Sequence, residues 1–432
     1  MSSAIALGIR GRGVAAEVDL HGCVRMGDGS RLRWAIAGDD RWYDPEKESS
    51  VRQTTREGFP IVVTKVRVPT GDATVIAYAA AVGGDGMAVL EVRNESTLPF
   101  AVVLSDPSWR TVRTPVPMHD AATQNAMLNH VGLPAESVIH PIGHQASLRF
   151  VYDAKARFDA EAIEALPGVE QIASGWERAL ASATRLNVPD HGLVKDMNSI
   201  RCALMLGAID LDDQVDQVIA TSELIRMGEK SAANFDDVEL NDYLGAIEDV
   251  LRAPRRGLIF RLLGRGAQDA AVTSWYVDSM LTGAAHALHK LGQHRAADDV
   301  MKARARAAVV SETPPASDLA ALSPMKRLAR IDREFAHVEA RADGLFTDVL
   351  PLLSGPRLGN PNETWLGVNF EAHGIACVHG TVGYAVRWHG DRAALLCEAS
   401  EPTVLPLISS QNDTSWHTNE LRGEVLLVAP NA

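Results

Sequence analysis

The chain has 432 residues, of which 46% are apolar and 22% charged, and it carries a formal net charge of −13. That length exceeds the usual single domain and can bury a large core without disulfide staples. The acidic balance excludes a general binder of phosphate backbones.

The opening stretch MSSAIALGIRGRGVAAEV carries no apolar run of signal-peptide length. Nowhere does the chain approach the roughly twenty apolar residues of a membrane span. Cys23, Cys202, Cys377 and Cys397 form no C-x-x-C pair and sit among apolar residues. Free buried thiols in a reducing, cytoplasmic setting are expected.

Residues 1–152 read as an antiparallel β-sandwich domain. GDGSRLRWAI predicts a hairpin turning at Asp28-Gly29. GFPIVVTKVRV alternates, with Val62, Thr64, Val66 and Val68 on one face. ATVIAYAAAV, MAVLEVRNES and FAVVLSD follow, separated by the turn signals PTGD, GGDG and NESTLP.

The period changes over 155–352, which reads as seven to nine helices in hairpins. GWERALASATRL places Trp176, Leu180, Ala183 and Leu186 on a helical stripe. LVKDMNSIRCALMLGAI does the same with Leu193, Met197, Ile200 and Leu204. Gly228 and Gly292 are placed to end two helices, and the next helix follows Gly292 almost at once. Such short connections make packed, antiparallel neighbours. The basic stretch RAPRRGLIFRLLGRGAQ, with Arg252, Arg255, Arg256, Arg261 and Arg265, reads as a solvated face.

Residues 365–432 return to strands as a small β-domain. GYAVRWHGDRAALLCE predicts a hairpin turning at Gly390-Asp391. Tyr384, Val386 and Trp388 then share an apolar, packing face with Ala393, Leu395 and Cys397. The other face is mixed, and Arg387 is its cation. TVLPLI and EVLLVAP supply further strands.

Two stretches carry a family resemblance: GWERALASATRLNVPDHGLVKDMNSIRCALMLGAID and GVNFEAHGIACVHGTVGYAVRWHGDRAALLCE. The first is similar to the entry into an (α/α) toroid, and the second to an appended C-terminal β-segment. With the sandwich–helix–sheet order, the chain resembles the six-hairpin glycosidase superfamily, which includes glucoamylase-like and glycogen-debranching-like enzymes. The resemblance implies a carbohydrate-related ancestry, a glycan or oligosaccharide partner, and no cofactor. A full toroid has twelve helices, so the count here implies a shortened one. The Gly-x-Trp-Glu acid and late Ser-x-Glu base of the glucoamylase-like branch are not evident. Gly175-Trp176-Glu177 has the letters but lies in the first helix of the region.

Glycoside hydrolysis uses two carboxylates, one of them protonated at working pH. The densest acidic stretch, NFDDVELNDYLGAIEDV, offers Asp237 and Glu239 at a helix start capped by Asn234 or Asp236. The macrodipole there favours ionised carboxylates, the opposite of what a general acid needs. Glu371, beside Asn369 and His373, is the second candidate. Trp176, Trp275 and Arg387 are the candidate ligand-binding side chains, the tryptophans as stacking platforms that compete with a core role. His286, His289 and His294 have spacing that permits a metal pair but read as a solvated helix end, so no metal is expected.

The chain has no G-x-S-x-G elbow and no Walker motif, and Gly8–Gly13 follows no strand. A glycosidase-like protein of weak or absent catalysis, binding a glycan or a protein partner, is therefore expected. An active α-glucan hydrolase or phosphorylase and an interaction scaffold are the alternatives. No nucleic acid or membrane partner is expected.

Overall fold

The computed structural model describes residues 4–38, 41–82, 85–112, 128–129, 131–155, 158–252, 267–306, 321–335, 365, 367–377, 380–390, 392–400, 407–408, 417–418 and 420–426. Two compact units divide the chain: Met1–Glu177 with Cys202–Ala208, and Arg178–Arg201 with Ile209–Ala432.

The first unit is built from antiparallel sheets. Strands β1 (Ile5–Ile9), β2 (Gly13–Val18), β3 (Val24–Met26) and β4 (Arg31–Leu32) form one sheet in sequence order. The second has six strands in the order β12-β14-β10-β9-β8-β7, from β7 (Arg52–Thr55), β8 (Ile61–Val68), β9 (Gly71–Val82), β10 (Asp85–Asn94), β12 (Trp109–Arg110) and β14 (Ser147–Tyr152). The third joins β13 (Val138–Ile142), β11 (Phe100–Leu104), β5 (Trp34–Ala37) and β6 (Trp42–Tyr43) in that order.

Alternation decides which side chains go inside. Along β8, Val62, Thr64, Val66 and Val68 are buried and Arg67 is exposed, as the period-2 pattern predicts. One core cluster joins Leu7 and Val18 from the first sheet, Leu90 and Phe150 from the second, and Trp34 and Val102 from the third. The hairpin predicted at Asp28-Gly29 is present, with β3 paired to β4 and Gly29 at φ 87°. That left-handed backbone suits glycine.

Eight helices lie among the described residues. They are α1 (Ala160–Glu164), α2 (Val169–Leu180), α3 (His191–Met205), α4 (Gln214–Arg226), α5 (Asp237–Arg252), α6 (Ala267–Lys290), α7 (His294–Arg306) and α8 (Pro324–Phe335). None is long and apolar enough to cross a membrane. In the second unit α4 packs against α5, α6 and α8, and α6 packs against α7 and α8. Gly228 and Gly292, at φ 79° and 78°, end α4 and α6 as their positions predict.

One stripe is corrected. Helix α2 stops at Leu180, and Leu186 lies in strand β15 (Arg185–Asn187), not on the helix. Pro189 follows closely, and the segment gains a ladder to β16 (Phe370–Cys377) instead. Strand β15 thus opens a five-stranded sheet ordered β15-β16-β17-β18-β21, with β17 (Gly380–His389), β18 (Arg392–Ala399) and β21 (Arg422–Leu426). Two short strands, β19 (Leu407–Ile408) and β20 (His417–Thr418), pair with each other.

The β17–β18 register sets Tyr384 against Cys397, Val386 against Leu395 and Trp388 against Ala393, matching the predicted faces. Trp388 itself is only half-buried. It stands at the turn end of the hairpin, and the methyl of Ala393 opposite it is too small to cover an indole. Arg255, Arg256, Arg261, Arg265, Asp391 and most of TVLPLI lie outside the described residues.

Candidate functional site

The sheet of the second unit brings together side chains that sequence reading had named separately. Register places Asn187 opposite Glu371 and leaves His373, two residues on, pointing to the same face. Asn187 Nδ2 donates to Glu371 Oε1 at 2.9 Å, and Arg387 Nη2 donates to Oε2 at 2.9 Å. His373 lies between two acids, with Nε2 3.3 Å from Glu371 and Nδ1 3.4 Å from Glu398. The cluster needs Gly383 beneath it. A Cβ there would stand 3.0 Å from Glu398 Oε1 and 3.2 Å from His373 Nδ1.

The chemistry of this cluster is that of a held anion. The Asn187 hydrogen bond, aided by His373 and Arg387, keeps the Glu371 carboxyl below its ordinary range despite some burial. A carboxylate so held accepts hydrogen bonds and does not deliver a proton.

Asp237 and Glu239 lie elsewhere. Asp236 caps α5 by accepting from the Glu239 backbone N–H at 2.8 Å. Asp237 is exposed in the first turn. Glu239 pairs with Lys230 at 2.7 Å, and the Lys230 ammonium sits 4.8 Å from the Phe235 ring centre. Lys230, Phe235 and Glu239 border a cavity of about 230 Å³ with Gln217, Thr221, Asp242 and Tyr243, and neither Asp237 nor Glu371 is among its walls.

Neither tryptophan presents a face to a ligand. Trp275 is 0% exposed and Trp176 is 6% exposed, so both serve as core. Their helical spacing among small and aliphatic residues is the pattern of packing.

Sequence reading missed the most buried polar group in the unit. Arg201 is 0% exposed and donates from Nε to Glu223 Oε1 at 2.6 Å and from Nη1 to the Thr184 carbonyl at 2.6 Å. Arg226 donates to Glu223 at 2.8 Å, to Asp332 at 2.5 Å and to Thr184 Oγ1 at 2.6 Å. Burial pushes the Glu223 carboxyl up, but Arg201 and Arg226 outweigh it and hold the group low. Asp278 has the same balance, burial against Arg304 and Arg333, with the same outcome. Glu223, Arg226, Asp278, Asp332 and Arg333 line a cavity of about 70 Å³ between α4, α6, α8 and β16. A signal existed: Glu223 and Arg226 continue the buried stripe of Ile219 and Ser222 along α4.

No protein-family model matches the chain, and no curated protein matches it.

Proposed function

We propose that this protein keeps a glycosidase-like plan, a β-sandwich followed by a shortened (α/α) toroid, and binds an oligosaccharide without hydrolysing it. The observation that carries this reading is that each paired candidate carboxylate is neutralised where it stands. Glu371 is taken by Arg387 and Asn187, and Glu239 by Lys230. A glycosidase needs one carboxylic acid kept protonated beside an ionised partner. Among the described residues Glu223, Asp278 and Glu371 are all displaced the other way.

The cavity beside Glu239 supports binding. It offers an amide from Gln217, a hydroxyl from Thr221, the Lys230 ammonium and the carboxylates of Glu239 and Asp242, against the Phe235 ring. Convergent donors and acceptors beside an aromatic ring suit the hydroxyls and C–H face of a sugar residue.

The test is calorimetric titration of disaccharides and α-gluco-oligosaccharides into the wild type, Glu239→Gln and Asp242→Asn. Binding that weakens at least tenfold in either variant is expected. Failure of the whole panel to bind the wild type defeats the reading and leaves an interaction scaffold ahead.

A further inference from the structure

The junction of α6 and α7 carries a second feature, independent of the carbohydrate reading. His289 lies in the last turn of α6, Gly292 reverses the chain, and His294 opens α7. The reversal is pinned by Gly292 N–H to the His289 carbonyl at 2.9 Å and Gln293 N–H to the Leu288 carbonyl at 2.8 Å. Leu288 and Leu291, 0% and 7% exposed, anchor it in the core. His286, one turn earlier on α6, is buried and takes no part.

The fixed turn points two imidazoles at one spot. Their Nδ1 atoms are 2.9 Å apart, with ring centres 4.5 Å apart and planes inclined at 66°. His294 is exposed and His289 partly so, which leaves the spot open to solvent. The Lys290 ammonium is turned away and donates to the Arg226 carbonyl at 2.6 Å. Asp298, also exposed, lies four residues after His294 on the same helix face.

We infer that His289 and His294 form a two-nitrogen site for a divalent copper or nickel ion. The two rings now share one hydrogen bond, and an ion that replaces its proton finds both nitrogens already in place. Nitrogens about 2.05 Å from one ion and 90° apart stand about 2.9 Å from each other, whereas a tetrahedral angle sets them about 3.3 Å apart. The observed 2.9 Å, an N–H···N hydrogen-bond distance, equals the square, cis spacing, so an ion of that geometry needs the smaller rearrangement. Square and tetragonal nitrogen–oxygen sites belong to Cu²⁺ and Ni²⁺, and Cu²⁺ stands highest in the affinity order of divalent ions. Water fills the remaining positions at this exposed corner.

The experiment titrates Cu²⁺ alone into the full chain in a non-chelating buffer, followed by electron paramagnetic resonance. Wild type is compared with His294→Ala, His294→Gln and the exposed-histidine control His191→Ala. The expected result is one Cu²⁺ equivalent with an axial spectrum and hyperfine coupling to two nitrogens. It weakens at least tenfold in both His294 variants and stays unchanged in the control. His294→Gln can still hydrogen-bond His289, so its loss of copper separates metal capture from a simple imidazole pair. Unchanged copper binding in the His294 variants, or no two-nitrogen coupling in the wild type, overturns the proposal. Circular dichroism without metal checks that the variants stay folded.

Discussion

Replacing Glu223 by Gln removes one negative charge from the centre of the second unit and leaves its shape almost unchanged. Glu223 faces two guanidinium groups at 2.6 and 2.8 Å, and the three side chains are 1–7% exposed. Each such pair is worth about 6 kcal/mol of gross attraction at an effective dielectric constant near 20. Most of that offsets desolvation. What an experiment sees is the cost of stranding the partner charges, about 3–5 kcal/mol. Among the described residues Asp332 is then the one carboxylate left beside both arginines, at 2.5 Å from Arg226 but 3.8 Å from Arg201. Urea unfolding, with hydrogen exchange of α4 and α6 peptides to localise the effect, measures the loss. The double variant Arg201→Met/Glu223→Leu leaves the Arg226–Asp332 pair balanced and is expected to recover at least half of it. A Glu223→Gln protein within about 1 kcal/mol of wild type, the range of an exposed pair, refutes the reasoning.

Burial lowers the His140 imidazole to about 4, so its neutral form is the one that fits. A depressed histidine leaves stability intact above its ordinary value of 6.5 and withdraws it as pH falls toward 4, here by about 3 kcal/mol. His140→Leu should flatten that acid limb in the first unit's unfolding, and an unchanged limb counts against the assignment. Gly71→Ala would set a Cβ 2.5 Å from the Glu95 carbonyl oxygen and the Ser96 Cα. A loss of about 1–3 kcal/mol is expected in thermal unfolding, and a neutral result contradicts the close approach. Trp275→Ala should cost about 3–5 kcal/mol as a core deletion, while a fully stable variant with altered sugar binding would make it a site residue.

Local rules made much of the fold legible. The β17–β18 register followed from alternation and Gly390, since a one-residue slip would turn Tyr384 and Val386 away from the core. Glycines marked the ends of α4 and α6 because the left-handed backbone needs them. Long-range pairing was not legible. Asn187 meets Glu371 across 184 positions, and nothing local marks Arg185–Asn187 as a strand. Arg226 meets Asp332 across 106 positions. Taken singly, each charge reads as an ordinary helix surface. At the site, the sequence marks Glu371 as a candidate catalytic carboxylate and Arg387 as a candidate ligand-binding cation, but their pairing with each other needs the register.

Binding without cleavage is tested by following released sugar. Purified protein is offered α-glucans and disaccharides, with and without phosphate, from pH 4 to 8. No turnover above the buffer blank is expected across that range. Sugar release by wild type that vanishes in Glu371→Gln or Glu239→Gln, with folding intact by circular dichroism, contradicts it.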